Sequence, residues 1–435
     1  MKTPHTLRVM PIALRYGRSG LSLDLPPDLQ VELLHLHPLA PLPNPDAAIR
    51  ASFENPIGTQ PLGQLARGKQ TACILLCDVT RPVPNQAILR PMVETLEEAG
   101  IKRENITFLV ATGLHRPNWG EELREMVGDF LFHNYRFENH DARDEQAMTD
   151  LGEVRFGEDQ SARVALNSHY LRADLKITTG LLEPHFMAGY SGGRKVICPG
   201  IASAQTILGF HSAGMIGDAN ARAGNLTNNP IHAMSLAVAK KVGCDFICNV
   251  TLDEERRITG VFSGDLEAAH QKGIEWVDQS AKVAVVPAPI VVTTSAGYPL
   301  DTTFYQCVKG MVCALPALQR GGTLIIAASL SEGIGGPEFS RMCRSLSAVD
   351  EFIERISSNP TQIDQWQLQE MMLALKHAGQ ILIVSDGLSP DVLSSLLLSP
   401  ASSVEEALET ARQKHGFDAR VVVIPEGPYV TPVAL

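Results

Sequence analysis

Three short runs rich in aliphatic and β-branched residues stand out in the first half of the chain: TACILLCDVT (71–80), ENITFLVATG (104–113) and ADLKITTG (173–180). Continuous apolar stretches of this length, bounded by turn residues, predict strands buried on both faces. Between the first two, Asn85 to Gly100 sets apolar residues at helical spacing and stops on a glycine, which predicts an amphipathic helix. Strands alternating with helices predict a parallel, doubly wound sheet. Each run passes at once into a polar stretch containing Gly or Pro: DVTRPVP, ATGLHRP and TTGLLEPHFMAGYSGGRK. Open α/β sheets bind ligands beyond the carboxyl ends of their strands. These three loops are therefore the predicted site.

After Val261 the alternation restarts. AKVAVVPAPIVVTTSAGYP, GGTLIIAASLSEG, QILIVSDGL and ARVVVIPEG read as strands with their loops, separated by helical stretches at Ala348 to Ser357 and Gln365 to Ala378. The expected fold class is α/β: two α/β domains with mainly parallel sheets and the active site in the cleft between them. The expected boundaries are an N-terminal domain over 1–265, a helical connection over 266–279, a C-terminal domain over 280–427 and a tail over 428–435. The proline-rich HPLAPLPNP (37–45) reads as a surface loop.

Charge and cysteine content narrow the function classes. The 435 residues carry 37 Lys+Arg against 48 Asp+Glu, a net charge of −11. That acidic balance weighs against a nucleic-acid partner. No apolar run approaches the ~20 residues that span a bilayer, so no membrane association is expected. MKTPHTLRVMPIALRYG lacks the apolar core and cleavage site of an export signal, and the expected location is the cytoplasm. The eight cysteines lack zinc-finger or zinc-ribbon spacing and read as small buried hydrophobes in a reducing compartment.

Four segments offer chemistry. Asp78, Thr80 and Arg81 follow the first run: either a cap for the next helix, or a guanidinium fork suited to a substrate carboxylate. His115, beside Arg116, sits just past the second run, where an imidazole is either structural or an acid–base group. The third loop holds His185, the run Ser191, Gly192, Gly193, Arg194, Lys195, and then His211. Successive glycines expose backbone N–H groups and can cradle a phosphate, but the P-loop spacing is absent. One or two histidines without carboxylate neighbours make a poor all-protein metal cage, so a metal here needs ligands from another source. In the second half, Tyr305, Gln306 and Lys309 open a helix, with Gln306 and Lys309 sharing a face as an ordinary helix start or a second anion anchor.

These motifs, in this order, resemble the lactate racemase family, the nickel-pincer-nucleotide enzymes acting on 2-hydroxy acids. The resemblance runs from about residue 10 to 430 and rests on DVTRP, ATGLHR, EPHFMAGYSGGRKVICPG with its following histidine, and YPLDTTFYQCVKG. The gaps of ten residues from His185 to Lys195 and sixteen from Lys195 to His211 match the family. The resemblance implies a pyridinium-3,5-bisthiocarboxylic acid mononucleotide covalently bound to Lys195, with nickel held by two sulfurs, a ring carbon and His211. It implies His115 and His185 as the acid–base pair, and Arg81, Tyr305, Gln306 and Lys309 as substrate-binding groups. Asp78, Thr80 and Ser191 to Arg194 would then line the cofactor, the last near its phosphate. Proteins of cofactor biosynthesis would be transient partners.

The tryptophan associated with the lactate enzyme has no clear match, since Trp366 lies in a different-looking helix context and the loop SDGLSP offers Leu388. The expected activity is therefore inversion of C2 in a 2-hydroxy acid or aldonic acid. The competing readings are an unrelated metal-dependent hydrolase or nucleotide-binding enzyme, and a non-catalytic cofactor-binding protein.

Overall fold

The computed structural model describes residues 11–26, 29–253 and 255–435, which divide into two compact units. One unit comprises Pro38–His211 and Asp218–Ser280. The other gathers the described residues up to His37, Ser212–Gly217 and Ala281–Leu435.

The first unit is built on a six-stranded sheet in the order Ile258–Gly264, Phe246–Leu252, Leu175–Leu181, Ala72–Cys77, Ile106–Ala111, Arg136–Asn139. All neighbours run parallel except the Ile258–Gly264 edge, which is antiparallel. Ala72–Cys77 is the strand buried on both faces that its apolar run predicts. The helix Asn85–Glu98 buries Ile88, Leu89, Met92, Val93 and Leu96 against this sheet. Each such fully buried side chain contributes about 1.5–3 kcal/mol. The chain leaves Ala72–Cys77 outward through Ile106–Ala111 to Arg136–Asn139, then returns to its other side at Leu175–Leu181. That reversal is a topological switch point, where strand-end loops diverge and leave room for a ligand.

The second unit has its own six-stranded, wholly parallel sheet: Ser399–Ala401, Gln380–Val384, Leu318–Ala327, Ala288–Thr294, Val421–Ile424, Val31–Leu33. A carboxylate fixes the amino-terminal segment to it. Asp301 Oδ2 accepts the Gly17 N–H at 2.6 Å and the Ser329 N–H at 3.1 Å.

The units differ in their bounds from those read off the sequence. The described residues before Pro38 do not belong to the first unit, because Val31–Leu33 pairs with Val421–Ile424 and Arg420 forms an ion pair with Glu32 at 2.6 Å. The expected tail is structured: Thr431–Ala434 pairs in parallel with Lys282–Val285. The expected connection contains the helix Ala268–Ala281, which lies in the first unit up to Ser280. No helix among the described residues is long and apolar enough to cross a membrane.

Candidate active site

The three strand-end loops of the first unit meet one another. The Gly113 N–H donates to the Gly200 carbonyl at 3.0 Å, which joins the loop after Ile106–Ala111 to the segment following Lys195. A Cβ on Gly200 would lie 2.1 Å from the Val196 carbonyl oxygen, so only glycine permits this approach.

Asp78 is the hub of the first loop. Its buried carboxylate accepts from Thr80 through Oδ1 (Thr80 N–H at 3.2 Å and hydroxyl at 2.5 Å), while Oδ2 meets His115 Nδ1 at 2.6 Å. Burial works to raise the Asp78 carboxyl, but hydrogen bonds and charge from His115, helped by Thr80 and Arg81, outweigh it and hold the group below its ordinary value. An ionised Asp78 assigns the His115 proton to Nδ1 and leaves Nε2 as a proton acceptor. The His115 side chain is 54 % exposed and Asp78 only 6 %, the arrangement of a reachable base on a buried support. Asp78 does not cap the next helix: that helix starts at Asn85 after Pro84, with no side-chain cap.

His185 is held differently. It is buried, stacked at 5.0 Å on Phe186, and its Nδ1 accepts backbone N–H groups from Ala188 (3.2 Å) and Met187 (3.4 Å). An accepting Nδ1 puts the proton on Nε2. The two histidines thus rest in opposite tautomers.

The glycine-rich run is braced by contacts within the protein. Ser191 Oγ donates to the Leu181 carbonyl and accepts the Glu183 N–H, and the Gly193 N–H donates to Asn249 Oδ1 at 3.3 Å. Arg194 is fully enclosed, giving Nη2 hydrogen bonds to the carbonyls of Ala188 and Tyr190 and packing Nη1 against the His270 ring. These contacts hold the loop that ends on Lys195. Gly193 adopts φ +50°, which a side chain would resist.

Lys195 and His211 are electrostatic neighbours. His211 Nδ1 donates to the Ile207 carbonyl at 2.9 Å, which puts the ring's lone pair on Nε2. Burial pushes the imidazole down to about 3, with the Ile207 carbonyl opposing and Lys195 assisting, so it stays neutral. Among the described residues, no cluster of three or more His, Cys, Asp or Glu could hold a metal.

In the second unit, Thr303 caps the helix Phe304–Ala314, accepting the Gln306 N–H at 3.4 Å. Gln306 and Lys309 follow one turn apart on this helix, and Gln306 Oε1 is buried without a hydrogen-bond partner among the described residues. The Tyr305 hydroxyl accepts the Trp366 indole N–H at 3.2 Å, and burial raises its phenol above the ordinary value. The structure therefore gives Trp366 a place beside Tyr305 that sequence context did not reveal. Leu388 instead packs against the apolar core.

Sequence reasoning missed Glu183, whose carboxylate forms an ion pair with Arg81, and Asn118, which accepts the Val79 N–H at 3.2 Å. Glu183 left a signal: it is the one acid in the loop from Leu181 to Lys195, two residues before His185.

Two family models match most of the chain. The lactate racemase N-terminal domain matches residues 16–224 and the lactate racemase C-terminal domain matches 266–431. A lactate racemase of Thermoanaerobacterium thermosaccharolyticum is 36 % identical over 422 residues, covering 96 % of this chain and 97 % of its own. One from Lactiplantibacillus plantarum is 38 % identical over 382 residues, covering 87 % and 89 %. The solved lactate racemase apoprotein from T. thermosaccharolyticum superposes with a TM-score of 0.90 at 36 % identity, over 97 % of this chain and 99 % of that one. A Thermotoga maritima protein shares the fold at 16 % identity, with a TM-score of 0.68 over 92 % of this chain and 100 % of its own. The chain belongs to the lactate racemase family.

Proposed function

We propose that the protein inverts C2 of a short 2-hydroxy acid, using a nickel-pincer nucleotide attached through Lys195. Lactate is the first substrate to test, because both relatives carry that name. The observation that carries this reading is the pair Lys195 and His211: an amine to tether the group beside an imidazole whose Nε2 is set up to ligate. The donor set fits. His211 alone makes a poor protein metal site, and the pincer would bring its own three donors.

When bound, such a group supplies a hydride acceptor for C2. General acid–base catalysis by itself contributes about 10²–10⁴-fold, short of the roughly 10⁶-fold or more that enzymes reach. The chain's own residues do the rest. His115 Nε2 takes the hydroxyl proton, with Asp78 stabilising the imidazolium that forms. His185 offers its Nε2–H as a hydrogen bond to the same oxygen from the other side. To transfer a proton there it must first be the imidazolium, which requires Nδ1 to release its two backbone N–H groups and take a proton. Arg81 holds the carboxylate and keeps the substrate oriented.

Protein produced together with the cofactor-making machinery should show a covalent mass adduct that Lys195→Ala removes. It should then invert C2 in a chiral assay spanning short hydroxy acids, malate-like diacids and aldonic acids. An adduct without inversion or C2-deuterium exchange in any of them would sink the enzymatic reading. Absence of the adduct would sink the cofactor.

A further inference from the structure

Arg81 stands between two carboxylates. Glu183 touches its Nη1, and Asp78 lies within electrostatic reach. Asp78 is already committed on both oxygens, Oδ2 to His115 and Oδ1 to Thr80. A guanidinium drawn onto Asp78 would compete with His115 for that charge and would turn away from an incoming substrate. Glu183 is fixed against drifting, since its N–H donates to Ser191 Oγ at 3.0 Å and its carbonyl accepts the Ser191 N–H at 2.9 Å. The pair is only partly exposed, 25 % at Arg81 and 18 % at Glu183, where charge is screened less than at an open surface.

We propose that Glu183 is a positioning residue: it holds Arg81 off Asp78, so that Asp78 acts wholly on His115 and Arg81 stays aligned for the substrate carboxylate. The second half of this statement rests on the 2-hydroxy-acid reading above; the first does not. Glu183 is thereby a fixed counter-charge at the carboxylate end of the site.

Other charged groups act on this network. Arg116 and Glu122 form their own ion pair and both act on Asp78 at longer range, in opposite senses. The Cys77 thiol, pushed up to about 11 by burial, stays neutral and feels Arg81, Asp78 and Lys195. Glu183→Gln keeps the shape of the side chain and removes its charge. Both consequences, one fewer negative charge and a guanidinium nearer Asp78, disfavour the His115 cation. The His115 titration therefore moves to lower pH.

Two measurements test this. In histidine-labelled protein without cofactor, NMR titration of the His115 ring signal (assigned by its loss in His115→Gln) should fall by about half a unit or more in E183Q. In cofactor-loaded E183Q, KM for the carboxylate substrate should rise about tenfold while kcat on the pH plateau changes less than about threefold. The acid limb of kcat/KM should shift downward with the NMR value. An unmoved His115 titration in folded E183Q overturns the coupling to Asp78, and an unmoved KM overturns the alignment of Arg81. If the loaded parent protein inverts no hydroxy acid, the functional reading fails, while the NMR titration still decides the role of Glu183.

Discussion

The loops carrying His115 and His185 flank the same central strand, yet they restrain their imidazoles by different physics. His115 is solvent-reachable and leans on a buried carboxylate. His185 is buried and leans on backbone N–H groups, in a loop anchored by the enclosed Arg194 and by Asn229, whose Nδ2 donates to the Met187 carbonyl at 2.9 Å. A carboxylate behind Nδ1 favours the imidazolium, whereas amide N–H groups aimed at Nδ1 oppose it. One loop is prepared to gain a proton and the other to share one. Similar residues at similar strand ends thus acquire unlike chemistry from what stands behind them.

This contrast can be attacked by experiment. His115→Gln should lower inversion at least roughly a thousandfold with the Lys195 adduct intact by mass, and His185→Gln should do likewise. Near-normal turnover in either variant would remove that histidine from the reaction. Asp78→Asn should cut kcat roughly a hundredfold and move the His115 titration down, because a neutral partner no longer supports the cation. Arg81→Lys should raise KM about tenfold with a smaller change in kcat, since an ammonium cannot reproduce the guanidinium fork.

Acid should affect the two supports in different windows. His232, which acts electrostatically on His270 beneath the Lys195 loop, is pushed down to about 3 by burial and by nearby Arg194 and Lys240. Its unfolded form binds a proton below about 6.5, so its stability contribution falls as pH drops from there towards 3. Asp78 is depressed instead. Its contribution persists above the ordinary carboxylate value and is lost only as pH falls below it. Urea midpoints at pH 7, 6 and 5 should decline in the parent protein and decline less steeply in His232→Gln.

The strands Ala72–Cys77, Ile106–Ala111 and Leu175–Leu181 were legible because both of their faces are buried, which writes a continuous apolar run into the chain. Val31–Leu33 was not. It has three residues with Glu32 at its centre, and its partner Val421–Ile424 lies at the far end of the chain. In the hairpin of Met148–Arg155 and Ser161–Asn167, the first strand buries only Val154 and shows no alternation. Among the candidate site residues, Asp78, His115 and His185 announce themselves by type and by place after a strand, and Lys195 and His211 by type and by their spacing from His185. Glu183 and Trp366 do not, because their meaning lies in a partner 102 residues away in one case and 61 in the other.

Order and spacing along the chain settled which residues form the strands buried on both faces, where their loops fall and which side chains could do chemistry, since burial and turn formation act over a few neighbours. Folding in three dimensions settled which nitrogen of each histidine carries the proton, which carboxylate Arg81 meets, and that Ser191, Gly193 and Arg194 brace a loop. Those outcomes depend on hydrogen bonds and charges brought within a few ångströms from distant segments, and local order along a chain does not encode such distances.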